Sequence, residues 1–286
     1  MVIQIVFLEK AQKSVNYIHA VKSSDNYYVV FKERIWYNST KINIRRVSVL
    51  NNKKWKKFQH LTEECYNDMI GFAEKSSCWL QAFELLKEIV LEERQQRPGF
   101  ASELEKLDED TDYKYDVSGW LEDCLDELDM REEHEILLKI CEDLLGMFGW
   151  PEYTGSDLKM RKIFALLQLG RKEEAARFFE KWINKEPENI VAATAGIYAC
   201  IAIEDYEKGQ ELIERFILNP NECGDENDII FTAASKFYEA IGNRKAKKQI
   251  DKALKDYDKY LEQYFQGMED EENDILCFDD EELPFN

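Results

Sequence analysis

The sequence predicts a mainly α-helical fold, a stack of about five helix pairs preceded by a small β-rich module. Only five prolines and twelve glycines occur in 286 residues, which favours long helices. From about residue 61 onward, apolar residues recur at helical spacing, whereas residues 1–60 are dense in Val, Ile, Tyr and Phe. The charge is also divided, since residues 1–60 hold twelve Lys or Arg and three Asp or Glu in a chain of net charge −20.

Residues 1–60 are predicted to form a basic module of four or five strands. The strands are expected at Val2–Leu8, Ser14–Val21, Tyr27–Phe31 with Ile35–Tyr37, and Ile42–Leu50. Turns rich in Asn, Asp and Ser separate them. The apolar opening predicts a strand rather than a signal peptide, because it lacks a basic leader and a small-residue cleavage site.

Residues 61–266 are predicted to form an acidic helical domain. The expected pairs are Thr62–Ser76 with Cys78–Gln95, Val117–Asp129 with Arg131–Phe148, Asp157–Leu169 with Arg171–Lys185, Ile190–Ile203 with Asp205–Leu218, and Asp225–Ile241 with Asn243–Gln266. An acidic insert, Leu104–Asp116, separates the first two pairs. Residues 267–286 are rich in Asp and Glu without Lys or Arg, so we expect a disordered acidic tail.

The second helices of these pairs share a register. Apolar residues follow a small residue at three, four, seven and eight positions, which is one face of a helix. In one helix, Ala175 is followed by Phe178, Phe179, Trp182 and Ile183. The small residues are Ala82, Ala175, Gly209 and Ala246, and His134 is a poorer match. A small side chain here allows the paired helix to approach closely.

Gly170, Ala175, Phe179 and Pro187 carry a resemblance to a known family. In residue type and spacing they are similar to the turn, small, aromatic and exit positions of the tetratricopeptide repeat, a 34-residue helix–turn–helix unit. The resemblance covers residues 155–255 and, more loosely, 61–150. It implies a right-handed superhelix of stacked hairpins that binds peptides or proteins on its inner face.

Two groups of charges are candidates for contact with a partner protein. Lys159, Arg161 and Lys162 are the main basic residues of the first helices, and these are too few for a clamp on acidic tails. Residues 101–145 hold seventeen Asp or Glu and four Lys or Arg. This acidic region predicts either a docking surface for a basic partner or a solvated face that serves solubility.

The basic run before residue 60 predicts an alternative function. Lys53, Lys54, Lys56 and Lys57 surround Trp55, and lysines with aromatic rings are typical of single-stranded nucleic-acid sites. The same module could instead dock on the acidic helical domain or on a second copy.

The last residues carry a second resemblance. Leu283, Pro284 and Phe285 follow four acidic residues, as in the tip of bacterial single-stranded-DNA-binding proteins, which partner enzymes grip. In that family the chain ends on the Phe, whereas here Asn286 follows. The resemblance implies a partner-binding tip, and chance similarity of a short acidic segment is the alternative.

No catalytic, cofactor or metal motif occurs in the sequence. Asp108, Asp110, Asp112 and Asp116 mimic part of a calcium loop, but Tyr113 and Gly119 replace its turn glycine and last ligand, which predicts an acidic linker. Seven dispersed cysteines and no apolar run of about 20 residues favour a cytoplasmic protein away from membranes. We therefore expect a non-catalytic adaptor for a basic protein partner, with a nucleic-acid-associated regulator or nucleic-acid mimic as the alternative. The sequence does not specify an oligomeric state.

Overall fold

The computed structural model describes residues 19–23, 26–30, 52–71 and 78–276, with side chains for 53–71 and 78–264. The chain divides into two compact units, Met1–Asn52 and Lys53–Asn286. In the first unit, strands β1 (His19–Ser23) and β2 (Asn26–Val30) pair antiparallel. The other predicted strands lie outside the described residues. A β-rich module of four or five strands is therefore not supported.

From residue 52 onward the described part of the chain is mainly helical, which confirms the prediction of a mainly α-helical protein. Its eleven helices are α1 (Asn52–Met69), α2 (Cys78–Gln96), α3 (Glu105–Asp110), α4 (Val117–Met130), α5 (His134–Met147), α6 (Ser156–Gln168), α7 (Lys172–Lys185), α8 (Ile190–Ile203), α9 (Tyr206–Phe216), α10 (Asp228–Ala240) and α11 (Arg244–Leu276).

Two boundaries of the structure differ from the predicted positions. The first unit ends at residue 52 rather than 60, because α1 already begins at Asn52. Trp55, Phe58 and Leu61 recur every third residue and are buried, so this stretch is an amphipathic helix despite its lysines. At the other end, α11 continues to Leu276. Residues 267–276 of the predicted tail thus belong to this helix, and residues 277–286 lie outside the described part.

Four successive turns between helices share one geometry. Each has a residue with positive φ one or two positions after the first helix of a pair, and the next residue donates its N–H to a carbonyl five positions back. The four residues are Glu132 (φ 59°), Gly170 (φ 73°), Glu204 (φ 61°) and Gly242 (φ 72°). Arg171 N bonds Leu166 O at 2.8 Å, and Asp205 N bonds Cys200 O at 2.9 Å. The chain thus forms the same hairpin four times.

The last three hairpins pack in a regular order. Helices α6 and α7, α8 and α9, and α10 and α11 pair within hairpins. Between hairpins, α6 packs against α8 and α8 packs against α10, so that the first helices form a row. Helix α7 also contacts α8. Helix α8 therefore has four helical neighbours, α6, α7, α9 and α10.

Two glycines allow these helices to approach. A Cβ on Gly196 of α8 would overlap the ring of Phe179 from α7. Likewise, a Cβ on Gly209 of α9 would overlap the ring of Phe237 from α10. Both rings are almost completely buried, so neither can move into solvent. The rings therefore occupy the space that a larger residue would need.

The shared turn geometry predicts opposite changes in stability when the positive-φ residue is replaced in two of the turns. Glu204→Gly should raise the free energy of unfolding by about 1 kcal/mol, because a left-handed conformation strains any side chain. Gly170→Ala should lower it by a similar amount, and no atom lies within 4 Å of the added Cβ to complicate the comparison. Urea unfolding measures both changes. Shifts of the same sign would contradict a common left-handed turn.

The close approach of α10 predicts that Gly209→Ala destabilises the protein by about 1–3 kcal/mol, since the new methyl group collides with the Phe237 ring. Gly146→Ala in α5 is the matched control, because its Cβ would meet nothing within 4 Å. That variant should gain up to about 1 kcal/mol from the better helix former. Thermal unfolding of the two variants would contradict the packing if Gly209→Ala were as stable as Gly146→Ala.

Candidate functional site

Helix α8 is uncharged along its whole length and leaves one edge partly accessible. Half of its buried residues are alanines, and Ala192, Ala193, Ala195 and Ala199 are all fully buried. The half-buried residues that remain include larger apolar side chains. Among them, Val191, Tyr198 and Ile201 lie on one side of the helix.

Helix α6 continues this surface. Its half-buried apolar residues Met160, Phe164 and Leu167 are spaced four and three residues apart and share one face. The rings of Phe164 and Tyr198 meet edge to face at 5.2 Å, which joins the two helices. We call these residues the apolar strip. Its members are Met160, Phe164, Leu167, Val191, Tyr198 and Ile201.

Tyr198 contributes a polar atom to the apolar strip. Burial raises the pKa of its phenol, so the hydroxyl stays protonated at neutral pH and can donate a hydrogen bond. A half-buried tyrosine offers both a flat apolar ring and a directional donor, the combination that anchors partner chains in many interfaces.

Acidic residues border the apolar strip. Arg161 of α6 pairs with Asp126 of α4 at 2.7 Å and with Asp157 at 2.7 Å, which places α4 beside this face. The Asp126 side chain is 53% exposed. Glu122 and Asp129 of α4 are also exposed. The face is therefore apolar on α6 and α8 and acidic on the adjoining α4.

The predicted partner-binding cations all make contacts within the helical unit. Arg161 binds carboxylates as described above. Lys162 pairs with Glu142 of α5 at 2.7 Å. Lys159 pairs with Glu186 at the end of α7. These side chains tie α6 to its neighbours, and a partner would have to compete for them.

A buried polar cluster fixes the start of α8. The side-chain oxygen of Asn189 accepts from the N–H groups of Val191 and Ala192, capping the helix. Its amide donates to Ser156 of α6 at 2.8 Å and to Glu186 at 2.6 Å. Asn189 is almost fully buried. One side chain thus sets α8 against both α6 and α7, and so positions the two halves of the apolar strip.

The residues predicted to pack the repeats occupy different environments. Ala82, Ala175, Phe179, Trp182 and Gly209 are buried, whereas Ala246 is half-exposed. Gly170 forms the turn already described. Pro187 is exposed, and its carbonyl accepts from Arg215 at 2.7 Å.

The residues predicted to touch nucleic acid near the start of α1 point to different sides of this helix. The Trp55 ring is fully buried and stacks on Tyr115 at 4.5 Å, so it is part of the core rather than a platform for a base. Lys54 bonds Glu88 and Glu92 of α2. Lys53, Lys56 and Lys57 remain exposed. Leu283, Pro284 and Phe285 lie outside the described residues.

Carboxylates of the acidic insert accept hydrogen bonds from the backbone of neighbouring segments. Asp108 accepts from the N–H groups of Val117 at 2.7 Å and Ser118 at 3.0 Å, which caps α4 from a distance. Asp110 accepts from the N–H of Ala101 at 2.7 Å. Within the described residues, no group of three or more His, Cys, Asp or Glu is arranged to hold a metal ion.

One constellation resembles a serine–lysine pair. Lys247 Nζ lies 3.1 Å from Ser235 Oγ and 2.8 Å from Asp251 Oδ2. The bond to Asp251 raises the pKa of Lys247, so this residue is an ammonium that cannot accept the serine proton. The Ser235 hydroxyl donates to Asp251, whose pKa is lowered by the bonds from Lys247 and Ser235, so this carboxylate is a weak base. The three side chains join α10 to α11.

Six cysteines of the described residues are free thiols. Burial raises the pKa of Cys124 and of Cys141 to about 12, so both are protonated and unreactive. No described helix is both long enough and apolar enough to cross a membrane.

No protein-family model and no curated protein matches this sequence. Function therefore has to be inferred from the side chains themselves. The apolar strip escaped the sequence-based reasoning because α8 is apolar on every face, so its accessible edge has the same composition as its buried ones. The helical spacing of Met160, Phe164 and Leu167 among charged residues was the one sequence feature that could have indicated this surface.

The polar cluster predicts a pH dependence. Burial acts to raise the pKa of Glu186, but bonds from Lys159, Trp182 and Asn189 outweigh it and lower the value. A lowered pKa stabilises the fold above the unfolded-state value of about 4.3 and loses that contribution as pH falls through the folded-state pKa. Glu186→Gln should therefore cost about 2 kcal/mol at pH 7, and the difference from wild type should shrink in acid.

Urea unfolding between pH 7 and pH 3 measures this effect. Glu211→Gln on the exposed face of α9 is the control and should match the wild type throughout. A gap between Glu186→Gln and wild type that widens as the pH falls would contradict the assignment.

Proposed function

We propose that the protein is a non-catalytic adaptor with a tetratricopeptide-like, right-handed helical repeat, which binds a protein partner on its row of first helices. The repeated left-handed turn and the packing of α6 against α8 and α8 against α10 support the architecture. The observation that carries the binding role is the apolar strip, whose Phe164–Tyr198 pair lies beside the acidic face of α4.

The chemistry of this face defines the partner. Half-buried aromatic and aliphatic side chains fit one or two apolar anchors of an extended or helical segment. The exposed carboxylates of α4, including Asp126, favour basic residues beside those anchors and speed the encounter. The partner is therefore a protein segment with apolar anchors and basic flanks.

The six free cysteines support a reducing compartment, and we place the protein in the cytoplasm. The proposal includes no metal, cofactor or membrane. A nucleic-acid role for the module before residue 60 is the less favoured function, since Trp55 is committed to the core.

Site-specific photo-crosslinking tests the adaptor role. A photoreactive phenylalanine at position 198 should trap a protein partner from nuclease-treated extract, whereas the same probe at Leu218, which is 89% exposed, should not. Tyr198→Ala should then weaken binding of the purified partner about thirtyfold, as expected for loss of about 2 kcal/mol at a hot spot. Leu218→Ala is the matched control and should bind normally. Equal crosslinking at both positions, or crosslinks that form only in extract without nuclease treatment, would refute the proposal.

A further inference from the structure

A row of exposed lysines runs along the first part of α11. Its members are three or four residues apart, so they share one face of the helix. They are Lys245, Lys248, Lys252, Lys255 and Lys259, and all are exposed. At 1.5 Å per residue the row is about 21 Å long.

These lysines have no ion-pair partner among the described side chains, although the chain has 58 Asp or Glu against 38 Lys or Arg. Their neighbour Lys247, in contrast, pairs with Asp251 at 2.8 Å. Like charges three or four residues apart destabilise a helix. Residues 244–259 hold seven Lys or Arg and three Asp or Glu, so the row is a local positive field on a chain of net charge −20. Such a field, maintained at a cost to the helix, favours an anionic ligand.

Exposed tyrosines follow the lysine row along the helix. Tyr257, Tyr260 and Tyr264 have neighbouring rings with centroids 6.5 Å and 6.3 Å apart and planes inclined by 22° and 27°. The exposed fraction is 59% for Tyr260 and 53% for Tyr264. The Tyr257 hydroxyl donates to Asp225, just before α10. The two exposed rings therefore lie on the part of α11 that extends beyond the N-terminus of α10.

At 3.6 residues per turn, the two exposed rings lie about a third of a turn around α11 from the lysine row, so a ligand that meets both must be flexible and cross the helix surface. On these grounds we propose that α11 binds single-stranded nucleic acid. The lysine row contacts successive phosphates, and Tyr260 and Tyr264 stack against unpaired bases. An acidic protein segment would satisfy the lysines, but only a nucleic acid supplies a flat ring together with a negative charge at every unit of its chain. A duplex would bring phosphates, but its bases are already stacked. This site is separate from the apolar strip and does not depend on the adaptor function.

Fluorescence anisotropy with the full chain and a labelled oligothymidylate of about 15 nucleotides tests the site, over a series of salt concentrations. Log affinity should fall linearly with log salt. In the triple variant Lys252→Gln, Lys255→Gln, Lys259→Gln the slope should become shallower by about 2, since each phosphate contact contributes about 0.7. Lys53→Gln, Lys56→Gln, Lys57→Gln on α1 makes the same charge change and should leave the slope as it is.

The tyrosines are tested separately. Tyr260→Ala with Tyr264→Ala should weaken binding about tenfold or more at an unchanged salt slope, because stacking involves no counterion release. Circular dichroism verifies that the variants keep their helices. Tyr198→Ala on the apolar strip should bind the oligonucleotide normally, which separates this site from the adaptor function.

Three results would overturn the proposal. The first is absence of oligothymidylate binding at low salt. The second is an equal loss in the α1 and α11 lysine variants. The third is displacement of the oligonucleotide by polyglutamate as effectively as by unlabelled oligothymidylate of the same charge, which would identify the row as a surface for acidic proteins.

Discussion

Close packing of α8 against α6, α7, α9 and α10 is the constraint on which the last three hairpins depend. The helix can be surrounded on four sides because it carries no charge and presents mainly Ala and Gly to its neighbours. Where a ring enters, as Phe179 does at Gly196, even a methyl group would be too large. Buried apolar area stabilises the fold only when the surfaces fit this closely, since voids forfeit dispersion contacts.

The same constraint explains why the apolar strip exists. An uncharged helix must be covered on all faces to be stable in water, yet Val191, Tyr198 and Ile201 of α8 remain only half-buried. Asn189 holds the exposed edge in register with α6 through Ser156 and Glu186. A partner that covers this edge completes the burial that the chain leaves unfinished, and the acidic α4 beside it selects for basic character.

Much of the helical fold could be predicted from the sequence, because amphipathic spacing and Gly170 mark the hairpins directly. The turn at Glu204 could not, since glutamate rarely adopts positive φ and only the surrounding helices impose it. The burial of Trp55 could not be predicted, because the four lysines around it resemble a binding motif and its burial depends on distant residues such as Tyr115. The apolar strip could not be located for a similar reason: exposure of Tyr198 is set by which helices surround α8, and not by its local pattern. The lysine row of α11, in contrast, is visible as a spacing in the sequence.

Native-state hydrogen exchange measures the dependence on α8 most directly. If the last three hairpins are held together by this helix, its amides should exchange only through global unfolding and should be the most protected of α6 to α11. In urea, their opening free energy should fall with the slope of the whole cooperative transition. Exchange of α8 by local opening, while α6 or α10 stays protected, would contradict the account.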